Sequence, residues 1–293
     1  MTIFTEQSNP NTQDIDLKNG LDIATLMNEE DKKVALAVQK ELKPIGEAID
    51  LIADCFLKGG RMAYFGAGTS GRLGVLDASE CVPTFGVKEN MVQGYIAGGA
   101  KALQHSVENA EDSATFALED LDAFLPQAHD VVVGISASGN PEYVVTVLKE
   151  ARRKGAHTIG ITCNPDAALK TVSDIFICVA VGAEVITGSS RLKAGTAQKM
   201  VLNMLSTGAM IKIGKTYQNY MIDVQVLNQK LFKRGCRFVR EICNVDQTEA
   251  QKLLESANNR VKTACVMKMK NCTRDDAEKM LNNVGGVLRK IIG

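Results

Sequence analysis

Five short apolar runs, each followed by glycine or polar turn residues and separated by stretches with helical spacing, leave this chain few choices of fold. They are RMAYFGAG from residue 61, MVQGYIAGG from 91, DVVVGISASGN from 130, HTIGITCNP from 157 and DIFICVAV from 174. Between them lie segments that read as helix, among them KALQHSVENAEDSATFALEDLDAF (101–124), PEYVVTVLKEARRKG (141–155) and RLKAGTAQKMVLNMLSTGAMIKIG (191–214). Strands that alternate with helices form βαβ units on a parallel sheet, and the loops at the strand C-terminal ends make the site. The expected fold class is therefore α/β, a doubly wound three-layer sandwich.

Residues 1–58 read as a polar arm followed by helices. NEEDKKVALAVQKELKPIGEAIDLIADCFLKGG, from residue 28, places Val34, Leu36, Val38, Ile45, Ile49, Ile52 and Phe56 at helical spacing. Pro44 is expected to kink or divide this run, and Gly59-Gly60 to end it. The α/β domain then spans 59–220. Strand signals stop there, and 221–293 reads as helical, with short amphipathic segments from about 246 that form a small bundle. Such a bundle is marginal alone and needs packing on a larger core.

Bulk properties exclude several classes of partner. Lys and Arg number 34 against 34 Asp and Glu, Trp is absent and aromatics make up 5%, so neither nucleic acid nor an anionic membrane is expected as partner. No apolar run is long enough to span a bilayer, and the polar start MTIFTEQSNPNTQDIDLKNG lacks the pattern of a targeting peptide, so a cytoplasmic protein is expected. The eight cysteines include no C-x-x-C pair and the three histidines stand alone, so no metal site is expected.

The loop GAGTSGRLG (66–74) satisfies G-x-G-x-x-G, and also G-x-x-x-x-G followed by Arg72 and Leu73. A triphosphatase loop needs Lys then Ser or Thr at those two places, and a dinucleotide loop needs an acidic residue at the tip of the second strand, which here ends YIAGG. Neither requirement is met. The same chemistry recurs at two other strand ends, in GISASGN (134–140) and GAEVITGSSR (182–191). Glycines let backbone N–H groups approach an anion, hydroxyls donate further hydrogen bonds, and helix N-termini add favourable partial charge. Asn140-Pro141 reads as an N-cap and first helical residue. A hydroxyl-rich cradle without the triphosphatase lysine suits a monophosphate such as a phosphosugar.

GAGTSG and SASGN at these positions resemble the sugar isomerase (SIS) domain, a flavodoxin-like phosphosugar-binding fold. The longer segments TEQSNP (5–10), GAGTSGRLGVLDASECVPTFG (66–86), ENAEDS (108–113) and EVITGSSRLKAGTAQKMVLNM (184–204) resemble the N-acetylmuramic acid 6-phosphate etherase family. The resemblance spans essentially the full chain, its final helices being similar to the ubiquitin-associated-like bundle of that family. This chain departs from the family pattern at Val82, at Ser190 and in GNPEYV.

The resemblance implies a lyase of amino sugar recycling that separates D-lactate from the sugar without metal or organic cofactor. It carries the proton-donor role onto Glu80, whose neighbours Ala78, Cys81, Val82 and Pro83 predict an apolar setting just after the helix that follows the first loop. It selects Glu111 from a run of acids as the second acid/base residue, its step left open, and makes Glu184 a third candidate. Phosphosugar contacts are expected from Gly68, Thr69, Ser70, Ser136, Ser138, Gly139 and Asn140, with Ser189, Ser190 and Lys193 completing the pocket. The family also implies a homodimer, with the arm and the helix from residue 29 crossing to the partner. A sugar-phosphate isomerase or a phosphosugar-sensing regulatory protein on the same domain is the alternative.

Overall fold

The computed structural model describes residues 6–224, 226 and 228–293. They divide into two compact units, Met1–Ser79 with Glu89–Ser206, and Glu80–Lys88 with Thr207–Gly293. None of the described helices is long and apolar enough to cross a membrane.

From Glu6 the segment read as a polar arm forms turns, and Thr5 of the TEQSNP segment lies outside the described residues. Asn9 and Thr12 are buried there, and their side chains donate to the carbonyls of Ala183 and Val185 at 3.3 and 2.9 Å. α1 (Gly20–Gln39) begins nine residues ahead of the expected start because Asn19 caps it, accepting the Asp22 N–H at 3.0 Å. The chain breaks at Lys40-Glu41, and α2 (Leu42–Leu57) follows. Pro44 sits third in α2, where its missing N–H would have had no partner within the helix, so it divides the run without weakening the second half.

All five expected strands form. β1 (Met62–Gly66) leads into α3 (Gly68–Phe85), then β2 (Val92–Ile96), α4 (Lys101–Gln104), α5 (Ala114–Phe124), β3 (Val131–Ile135), α6 (Glu142–Arg153), β4 (His157–Thr162), α7 (Leu169–Val172), β5 (Ile175–Cys178) and α8 (Lys193–Lys212). The sheet is wholly parallel in the order β2-β1-β3-β4-β5. Every residue of β1 and β3 is buried, as central parallel strands covered on both faces require. On one face Phe65 stacks on Tyr95 with centroids 4.7 Å apart, and Phe124 meets both edge-on. The apolar side of α6, Tyr143, Val144, Val147 and Leu148, packs in the same cluster.

The continuous helix expected over 101–124 is interrupted. α4 ends at Gln104, and Asn109 adopts a left-handed conformation with φ of 57° that no α-helix accommodates. A single 3-10 turn, Ala110–Asp112, follows. The helix restarts only where the Ser113 side chain accepts the Phe116 N–H at 3.2 Å. Glu111 is therefore displayed on a turn.

In the second unit α9 (Gln229–Cys243), α10 (Gln247–Ser256), α11 (Val261–Lys270), α12 (Arg274–Asn283) and α13 (Arg289–Ile292) share one apolar core that includes Phe238, Val239, Leu254, Val261, Cys265 and Leu288. Asn228, Asp246 and Thr273 cap α9, α10 and α12. The last residue is tied in as well, since the Tyr217 hydroxyl donates to the Gly293 carbonyl at 2.8 Å.

Candidate active site

β1 and β3 are neighbours, with Gly66 paired to Ile135, so the loops leaving their C-terminal ends begin side by side. β2 lies on one side of β1 and β3 on the other, a reversal that opens a crevice beyond the strand ends.

The first loop turns too tightly for side chains at either end. A methyl on Gly66 would lie 2.7 Å from the Gly71 nitrogen, and one on Gly71 would lie 2.6 Å from both the Gly66 oxygen and Ile96. Gly68 has φ of +53°, which glycine adopts at no cost. The turn leaves Gly68 exposed, Thr69 half-buried and Ser70 buried. Behind it, the Ser70 hydroxyl donates to Gln198 Oε1 on α8 at 3.0 Å. Gln198 Nε2 is the sole buried side-chain nitrogen or oxygen without a hydrogen-bond partner among the described residues. An unpaired buried donor of this kind costs about 1–3 kcal/mol.

In the second loop Ser136 builds the turn, its hydroxyl oxygen accepting the Gly139 N–H at 3.0 Å. Ser138 is half-buried, and its hydroxyl is 3.5 Å from that of Ser136. Gly139, at φ of +70°, has no room for a side chain, because a methyl would lie 2.4 Å from the Ala167 Cβ. Asn140 does not cap α6 as expected. Pro141 is extended (ψ 134°) and itself takes the cap position, which frees Asn140 Oδ1 to accept the Ala168 N–H at 2.9 Å. The loop is further braced by Asn164, whose Nδ2 donates to the Ser138 carbonyl at 3.1 Å.

The third loop reaches the first through α8. A methyl on Gly195 would lie 3.5 Å from Thr69 Cγ2 and 3.8 Å from the Ser190 carbonyl oxygen, so Thr69, Ser190 and the first turn of α8 share one neighbourhood. Ser189 and Ser190 are half-buried on this loop. Glu184 is fully buried and holds α8 by accepting the N–H groups of Lys193 and Ala194, both at 2.9 Å. Burial raises the Glu184 pKa, and the two backbone donors oppose that shift. Lys193 is also buried, and its ammonium is committed to Glu30 on α1 at 2.7 Å. It neutralises that carboxylate rather than standing free beside the loops.

Burial opposes ionisation of Glu30, but hydrogen bonds from Lys193, Lys33, Asn11 and Asn9 outweigh it and lower its pKa from 4.5 to about 2. A carboxylate depressed on folding contributes stability above its unfolded pKa and loses it as pH falls toward the folded value. Melting temperature should therefore fall between about pH 4.5 and 2, and fall less steeply in Glu30→Gln. Parallel profiles for the two proteins would remove Glu30 as the cause.

Glu111 lines a cavity of about 270 Å³ whose other walls include Ala67 and Gly68 of the first loop, Ala97 at the end of β2, Arg72 and residues 105–110. Arg72, the residue that disqualified the triphosphatase reading, fixes one wall. Its guanidinium donates to the carbonyls of Ala102, Leu103 and His105 at 2.7, 2.9 and 3.2 Å. Apart from its place after the sixth residue of the glycine loop, no sequence signal marked this role. Asp77, likewise unmarked, joins Tyr64, Asn203 and Ser206 in a buried network linking β1, α3 and α8.

Glu80 does not line that cavity. α3 continues past it to Phe85 with Pro83 inside, rather than ending before it. Pro83 removes one N–H, but at the end of the helix the bond from Gly86 N–H to the Val82 carbonyl at 2.9 Å still forms. Nor is Glu80 in the expected apolar setting among the described residues. Ala78 and Cys81, three apart on the helix, are buried, whereas Glu80 is exposed together with Leu76 one turn earlier.

A parallel sheet in this order, with glycine and hydroxyl loops at its switch point, is a flavodoxin-like arrangement, and residues 117–208 match the SIS domain family, which makes it a SIS domain. Residues 44–152 match the glucokinase regulatory protein N-terminal SIS domain, and 218–260 the C-terminal lid domain of glucokinase regulatory protein. A phosphoheptose isomerase from Francisella tularensis shares the fold, at 17% identity and a TM-score of 0.50 over 66% of this chain and 100% of that one. The chain belongs to the N-acetylmuramic acid 6-phosphate etherase family. It is 48% identical to the N-acetylmuramic acid 6-phosphate etherase of Brucella anthropi over 99% of its own length and 94% of that protein. Identity to the enzyme of that name from Escherichia coli O1:K1 / APEC is 50%, over 99% of this chain and 97% of the relative.

Proposed function

We propose that this protein cleaves the D-lactyl ether of N-acetylmuramic acid 6-phosphate, giving N-acetylglucosamine 6-phosphate and D-lactate in cytoplasmic recycling of cell-wall amino sugars. The observation that carries the reading is the cavity shared by Gly68 of the first loop and Glu111. A carboxylate beside the first glycine loop supports this reading, and the relatives supply the identity of the sugar.

An alkyl ether is a poor leaving group until its neighbour is activated. Opening the sugar ring exposes the C1 aldehyde and makes the C2 proton acidic. A base removes that proton, the electron pair forms C2=C3, and the C3–O bond breaks as an acid protonates the departing lactate oxygen. Water then adds its hydroxyl to C3 and a proton returns to C2, so the net reaction consumes one water. Two positioned carboxyl groups suffice for these proton transfers. Glu80 is the proton donor and Glu111 the second acid/base group. Ser70, Ser138 and the backbone of Gly68 and Thr69 anchor the phosphate, with Ser189 and Ser190 beside them.

Glu80 is exposed on α3, on a face it shares with exposed Leu76. This exposure supports a homodimer in which pairing of two chains completes each pocket. Mixing Glu80→Gln with Ser70→Ala protein should then restore part of the activity that each lacks alone, and two inactive variants that stay inactive after mixing would contradict it.

Ser138→Ala should weaken N-acetylglucosamine 6-phosphate about 10- to 100-fold, the worth of one hydrogen bond to a charged group, with melting temperature unchanged. An unaltered dissociation constant would remove Ser138 from the cradle. The function itself is tested by incubating the pure protein with N-acetylmuramic acid 6-phosphate and measuring D-lactate. Tight sugar-phosphate binding without lactate would favour a sensor, the reading supported by the match to the glucokinase regulatory protein lid.

A further inference from the structure

Ser70 and Gln198 form a buried pair, 8% and 2% exposed, directly beneath the first loop. A serine hydroxyl has one proton to give. With the Gln198 amide turned so that Oε1 faces Ser70, that proton goes to Oε1 at 3.0 Å, while Gln198 Nε2 finds no partner. Ser70 in this state can offer an anion only lone pairs, which repel it. Rotating the carboxamide by about 180° puts Nε2 where Oε1 was. Nε2 then donates to Ser70 Oγ, the unpaired donor gains its partner, and the hydroxyl proton is released toward the loop. The carbonyl left behind tolerates an incomplete set of partners better than an N–H does. Nothing else in α8 need move, because Glu184 pins its first turn through two backbone N–H groups.

We propose that Gln198 is a positioning residue for the phosphosugar, its side-chain amide turning over so that the Ser70 hydroxyl can donate to the bound phosphate. The inference rests on the first loop being the phosphate cradle, and it adds a residue buried behind that cradle to the determinants of binding. Occupancy of the site and orientation of the amide are linked, since a phosphate binds one orientation better than the other.

The test uses the full chain, N-acetylglucosamine 6-phosphate as probe and N-acetylglucosamine as its control. Gln198→Glu supplies only acceptors and holds the Ser70 proton inward. Gln198→Met supplies neither donor nor acceptor and leaves that proton free. Gln198→Glu should therefore bind the probe at least about tenfold more weakly than Gln198→Met, which should stay within about fivefold of the parent. In protein labelled with ¹⁵N-glutamine, the Gln198 amide signals, identified by their loss in Gln198→Met, should shift with the phosphosugar and not with the control sugar. They should not shift in Ser70→Ala. Equal affinities for the two Gln198 variants, or an amide that stays put at saturation, overturn the proposal. A role confined to stability would lower the melting temperature without moving either readout. If Ser70→Ala binds the probe as tightly as the parent, or the parent does not bind it, the cradle reading itself fails. Weakened binding in Ser70→Ala with Gln198 variants that behave alike sinks the Gln198 inference alone.

Discussion

Glu80→Gln is expected to lower D-lactate release about a thousandfold while N-acetylglucosamine 6-phosphate binds as before. The amide has the shape of the carboxyl group but holds no proton it can surrender, so the lactate oxygen would have to leave as an anion. Binding is spared because Glu80 is no part of the phosphate cradle, and the helix is spared because Gln forms helix about as well as Glu. The loss should appear in kcat rather than KM, as befits an interaction made in the transition state alone. Glu111→Gln should cause a similar loss, since elimination needs both proton transfers. Retained turnover in Glu80→Gln would remove it from the role of acid.

Lys193→Met should cost stability on a comparable scale. Its ammonium and the Glu30 carboxylate are 2.7 Å apart, with side chains 2% and 5% exposed, and removing one member of a buried pair costs about 3–5 kcal/mol. For a chain of this size the melting temperature should drop by on the order of 10 °C. The cost comes from the charge left on Glu30 with only Lys33, Asn11 and Asn9 as partners, so adding Glu30→Gln should recover much of it. A double variant no more stable than Lys193→Met would show that packing, not charge, sets the loss.

The sheet was legible because a central parallel strand must be apolar on both faces, and the runs ending at Gly66 and Ile135 are. The glycine turn was legible because Gly66 and Gly71 admit no side chain at their close approaches, and the sequence shows those glycines directly. Other features left no periodic trace. Asn109 breaks the helix before Glu111 through a left-handed backbone that its neighbours in sequence do not announce. Glu30 and Lys193 meet across a separation of 163 residues, so the lysine read as a free phosphate partner turned out to be paired. Asn140 fits the rule for a cap, but the extended Pro141 took that position and turned its side chain to Ala168. The surroundings of Glu80 were misjudged because Ala78 and Cys81 turn inward on a helix that continues past them, while Glu80 and Pro83 are exposed.

Cleavage on the sugar side of the ether, at the C3–O bond, is tested most directly in water labelled with ¹⁸O. With the pure protein and N-acetylmuramic acid 6-phosphate, the label should appear at the C3 hydroxyl of N-acetylglucosamine 6-phosphate, and D-lactate should keep its original oxygen. Label in the lactate hydroxyl, or no lactate at all from folded protein, would contradict the account.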